Sequence, residues 1–71
     1  MSNETEKDNL PVMLVIDKND QLIHVGDPES IGKKLLGKYA SEGCLLKTVT
    51  FKKWKELDFR MYTKVDTSKI L

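Results

Sequence analysis

The chain has 71 residues, of which 39% are apolar and 32% charged, with a formal net charge of +1. That length holds one domain around one small core, since so short a chain buries only about 60% of its unfolded surface, and the composition suits a soluble globular chain better than a disordered or collagen-like one. The longest apolar run, Val12 to Ile16, is about a quarter of what a membrane-spanning helix needs, which excludes a membrane partner of that kind.

Residues 1 to 9 carry no apolar side chain beyond Met1 and are expected to form a disordered acidic tail, with the domain running from 10 to 71. Their acidic, polar chemistry is wrong for a secretory signal or transit peptide. The ending Ser68-Lys69-Ile70-Leu71 does not match a peroxisomal address. Cys44 is the single cysteine, so no internal disulfide and no oxidising compartment is implied, and a cytoplasmic location is expected.

Charge is polarised along the chain. Residues 1 to 30 hold Glu4, Glu6, Asp8, Asp17, Asp20, Asp27 and Glu29 against Lys7 and Lys18, a balance of −5. From residue 31 onward the balance is +6. Such asymmetry bears on partners and association, not on fold.

Pro11 leads into Val12 to Ile16, whose β-branched apolar residues predict a strand covered on both faces, or covered on one face with the second partly shielded. Asp17-Lys18-Asn19-Asp20 reads as a turn, because Asn and Asp tolerate left-handed backbone and bond their own main chain. Leu22 to Val25 is the second arm of a hairpin. Asp27-Pro28-Glu29 then starts a helix with a capping side chain, a proline at the first position and an acid at the positive dipole end. Ile31, Leu35, Tyr39 and Ala40 share one face of it, and Gly43 caps its end, giving a helix from about 28 to 42. Gly32 and Gly37 have no role in this reading, since glycine inside a helix costs about 0.5–1 kcal/mol relative to alanine.

Cys44 to Phe51 predicts a third strand with Val49 and Phe51 on one face and Thr48 and Thr50 on the other. Beyond it, Phe51, Trp54, Leu57 and Met61 fit a helical stripe, whereas Phe59, Met61, Thr63 and Val65 fit strand alternation. A short helix over 52–58 followed by a fourth strand over 59–65 reconciles the two. The fold class expected is therefore α+β, in the order ββαβ(αβ), with helices packed on one face of a largely antiparallel sheet.

The stretch from Gly26 to Lys34 superficially resembles a phosphate-binding loop. It fails that test: five residues separate the glycines instead of four, Lys34 stands where a hydroxyl is needed, and Asp27, Pro28 and Glu29 supply negative charge and remove an amide donor. His24 and Cys44 offer neither an orienting third group nor a cation to lower the thiol's pKa, so no catalytic role is assigned. One His and one Cys show no zinc-ligand spacing, and Asp17 to Leu22 lacks the Gly and terminal Glu of a calcium loop. Neither enzyme activity, cofactor nor metal is expected.

The segment Phe51 to Lys64 interleaves Lys52, Lys53, Lys55, Arg60 and Lys64 with Phe51, Trp54, Phe59 and Tyr62. Single-stranded nucleic-acid binders use that combination, yet a small domain also needs its aromatics for a core. Lys52, Lys53, Lys55, Arg60, Tyr62 and Lys64 are the candidate partner-binding residues. Three function classes follow. The favoured one is a non-catalytic interaction module, a regulator or inhibitor that engages a cellular or host protein through a charged face or a sheet edge. The alternatives are a nucleic-acid-binding module using 51–64, and a homo-oligomer that binds a small ligand or nucleotide between subunits.

Overall fold

Residues 7–71 are described by the computed structural model. Their elements are β1 (Pro11–Ile16), β2 (Leu22–Gly26), helix α1 (Pro28–Ser41), β3 (Leu45–Thr50), helix α2 (Phe51–Leu57) and a 3-10 turn at Thr67–Lys69. The strands form one antiparallel sheet in the order β2-β1-β3, so the chain is a small α+β protein with its most apolar strand in the centre.

The first hairpin closes by the chemistry its residues imply. Asp17 Oδ1 accepts from the Asn19 and Gln21 amides at 2.8 and 2.9 Å, and Asp20 takes left-handed backbone at φ 65°. A register shift between Val15 and Ile16 adds one residue to β2, a bulge that twists the strand away from a flat ladder.

α1 starts as the sequence implies, with the Asp27 carboxylate accepting from the Glu29 amide at 3.0 Å and Pro28 at the first turn. It ends in a Schellman motif: the Gly43 amide donates to Ala40 and the Cys44 amide to Tyr39, both at 3.1 Å, with Gly43 at φ 82°. The expected continuous helix is interrupted, however. Gly32 adopts φ 81° and ψ 156°, a conformation essentially restricted to glycine, and the break shifts the phase of the apolar stripe. Leu36 is half-buried while Ala40 is exposed.

Alternation along the strands assigns the two faces. Cross-strand partners Met13, Val15, His24, Leu46 and Thr48 share one face, and Val12, Leu14, Val25, Lys47 and Val49 share the other. The second face carries the core: Leu14, Ile16, Leu22, Leu57, Val65 and Ile70 cluster there, with Trp54 and Phe59 packed against them. The first face carries α1, where His24 meets the Tyr39 ring at 5.8 Å between centroids and Ile31 approaches Gly26. The helices thus lie on opposite faces, not on one as expected. β1 is the reason: Leu14, Val15 and Ile16 are all at most 1% exposed, and three consecutive apolar residues can be buried only if both faces are covered.

The expected fourth strand over 59–65 is also absent among the described residues. Asp58 and Tyr62 both take left-handed backbone, at φ 53° and 61°, and the Thr63 hydroxyl donates to the Arg60 carbonyl, so the chain turns where a strand would extend. What remains of strand pairing is one bridge, Gln21 to Lys64. With it, the Leu22 amide donates to Thr63, the Tyr62 amide to Leu22 and the Val65 amide to Asp20, which covers the start of the outer edge of β2. Of the tail expected over 1–9, residues 1–6 lie outside the described residues. Lys7 and Asp8 are helical and rest on α2.

Candidate functional site

α2 begins where β3 ends. The Thr50 hydroxyl caps it by accepting from the Lys53 amide at 3.1 Å, and Asp58 in left-handed backbone ends it. Helical spacing then divides its side chains. Leu57 is buried and Trp54 half-buried against the core, whereas Lys52, Lys53, Lys55 and Glu56 are exposed. The result is a basic outer face of seven-residue length. Two of its lysines sit in the first turn, where the positive end of the helix dipole disfavours them by a few tenths of a kcal/mol.

One end of that face is occupied by the chain itself. Lys55 Nζ binds Asp8 Oδ1 at 2.8 Å and lies 5.0 Å from the centroid of the Phe51 ring. Lys7 Nζ stands 5.3 Å from the same centroid. Lys7, Asp8, Phe51 and Lys55 line an open hollow of about 370 Å³. At such exposure the ion pair adds little stability, in the range of about 0–1 kcal/mol. Its consequence is positional: the acidic N-terminal half touches the basic C-terminal half within one molecule.

Arg60 and Lys64 lie elsewhere. They line a second open hollow of about 550 Å³ beside Leu57, Phe59, Val65 and Asp66. Glu56, Asp58 and Asp66 contribute as many negative charges there as Arg60, Lys64 and Lys69 contribute positive ones, so the hollow has no cationic excess to hold a phosphate. The Ser68 hydroxyl, and then its amide, donate to Asp66 Oδ1 at 2.6 and 3.1 Å and hold that carboxyl below its usual range. Tyr62 belongs to neither hollow and is 72% exposed.

The six candidate residues therefore form no single constellation. Lys52, Lys53 and Lys55 share α2, Arg60 and Lys64 border the second hollow, and Tyr62 stands alone at a turn. Of the four aromatics read as a possible stacking platform, Trp54 and Phe59 pack on the core and Phe51 lies beneath two lysines. Opposite charge at the two ends of the chain already suggests that the acidic residues 4 to 8 fold back onto the basic segment, and Asp8 does so at Lys55.

The remaining chemistry-bearing residues stay apart. His24 packs on Tyr39, and none of the described hydrogen bonds joins it to Cys44. Burial, and then the nearby Glu42 and Asp17 carboxylates, push the Cys44 thiol up from its ordinary value, which lowers the thiolate fraction at neutral pH. Among the described residues no three His, Cys, Asp or Glu side chains converge as a metal site requires, and no helix is long and apolar enough to cross a membrane. No protein-family model, characterised protein or solved structure matches the chain.

Proposed function

We propose that this chain is a non-catalytic interaction module that binds an acidic surface of a partner protein with the exposed face of α2. One observation carries the reading: Lys52 and Lys53 are exposed in the first turn of a helix whose dipole disfavours them, and neither has an acidic partner within the described residues. A charge pattern that is locally unfavourable and makes no ion pair among the described residues is suited to an acidic partner. The aromatics support a protein over a nucleic acid, because three of the four are committed to packing. A second reading rests on Tyr62, an exposed aromatic between Arg60 and Lys64 that suits stacking of a single base.

Fluorescence anisotropy with a labelled acidic polypeptide and a labelled single-stranded DNA, at about 50 and 200 mM salt, separates the two. The proposed function predicts that the polypeptide binds and that Lys52→Glu with Lys53→Glu abolishes binding, while Tyr62→Ala leaves it unchanged. Tight DNA binding lost in Tyr62→Ala, with affinity falling by orders of magnitude between the two salts, transfers the function to nucleic acid.

A further inference from the structure

The two edges of the sheet are unlike. The start of the β2 edge is covered by residues 62–65, whereas the outer edge of β3 carries no backbone hydrogen bond among the described residues. Its phase is fixed by the Phe51 amide, which donates to the Leu10 carbonyl at 2.8 Å next to the Pro11–Thr50 pair. In an antiparallel ladder such pairs alternate. Residues 45, 47 and 49 accordingly face β1, and Leu46, Thr48 and Thr50 project their amides and carbonyls outward.

We infer that this edge pairs with the same edge of a second copy, joining two three-stranded sheets into one antiparallel sheet about a twofold axis at Thr48. Three constraints select that arrangement. Cross-strand partners share a face, so 46, 48 and 50 pair among themselves. Centring on Leu46 or Lys47 needs Cys44, whose amide is already bound to Tyr39, and centring on Val49 or Thr50 needs Lys52, which is helical. Centring on Thr48 leaves no outward amide unmatched: Thr48 faces Thr48 of the second copy, Leu46 faces Thr50 and Thr50 faces Leu46, with the Thr50 carbonyl, which as the N-cap of α2 accepts the first helical amide, taking the Leu46 amide on its second lone pair. Each twofold contact is thereby satisfied twice, as an isologous interface requires.

The side chains agree with the backbone. Thr opposite Thr is a favourable cross-strand pair. Lys47 falls opposite Val49 of the second copy instead of another Lys47, so no like charges meet and its aliphatic stem covers a half-buried valine. At either end the α1–β3 turn of one copy, with Glu42, comes beside the start of α2 of the other, with Lys52 and Lys53. The dimer draws on Lys52 and Lys53, the residues on which the proposed function also rests, so the Thr48 variants below, which leave both lysines in place, test the dimer separately from that function.

Sedimentation of the full chain at micromolar to millimolar concentration tests the inference. Twice the monomer mass of 8.1 kDa is expected. Thr48→Lys sets two lysines across the axis and Thr48→Glu two carboxylates, and each should weaken association on the order of tenfold or more while circular dichroism stays native. Mixing the two variants should restore a dimer containing one of each. A wild-type chain that stays monomeric at millimolar concentration overturns the inference, as does a dimer untouched by either substitution. Folded variants that fail to pair when mixed overturn the Thr48 register.

Discussion

Gly32 and Gly37 lie in the same helix and meet no neighbouring atom within 4 Å of where a side chain would start. Only Gly32 has positive φ. Substituting alanine therefore acts through the backbone alone, and the two positions should answer with opposite signs. Gly32→Ala forces a side chain into a region reserved for glycine and should destabilise by about 1–3 kcal/mol. Gly37→Ala removes unfolded-state freedom from an exposed helical position and should stabilise by about 0.5–1 kcal/mol. Urea unfolding of both variants reads the difference directly, and a stabilising Gly32→Ala would show that α1 is continuous in solution.

At the scale of the element, α2 holds both the packing and the proposed contact surface in seven residues. Trp54 is half-buried against Leu14, Leu57 and their neighbours, so Trp54→Ala should cost roughly 2–3 kcal/mol, less than the 3–5 kcal/mol of a fully buried tryptophan. A melting temperature within a degree of wild type would place the ring on the surface. Part of this division was legible in the sequence, because helical spacing sets Trp54 and Leu57 apart from the three lysines, whereas Phe51, which fits the same stripe, lies beneath Lys7 and Lys55. The hairpin and the caps at Asp27 and Gly43 were legible for the same reason: each uses local chemistry that competes with nothing distant. Residues 59–65 were not. Their alternation matches a strand, but Asp58 and Tyr62 take left-handed backbone, and the latter is fixed by bonds to Leu22 some 40 residues away in sequence. Short-range periodicity carries no trace of such a constraint. The candidate site divides in the same way, since the lysines of α2 share a face by local geometry whereas Arg60 and Lys64 are placed by the tertiary turn.

At the scale of the whole molecule the core is closed from the far end of the chain. Leu14, Ile16 and Leu22 come from the hairpin, Leu57 from α2, and Val65 and Ile70 from the last segment. The only regular element in that segment is a three-residue 3-10 turn, held by Asp66 accepting from Ser68 and by the Ile70 amide donating to Thr67. Beyond Val65 no backbone bond joins it to the sheet among the described residues, and Ile70, at 5% exposure, is the apolar group that anchors its end. Ile70→Ala should then destabilise by roughly 2–4 kcal/mol, a large share of what so small a domain possesses. The fold predicts how that loss appears. If the terminal segment unfolds with the rest, the urea midpoint falls with an unchanged slope. If it detaches first, the slope flattens and the amides of Val65 and Ile70 lose protection against hydrogen exchange before those of β1. The bonds joining Leu22 to residues 62 and 63 and Asp20 to Val65 favour the first outcome, because they tie the segment to the outer edge of the hairpin. An unchanged midpoint in Ile70→Ala would mean that the second face of the sheet is closed without the C-terminus.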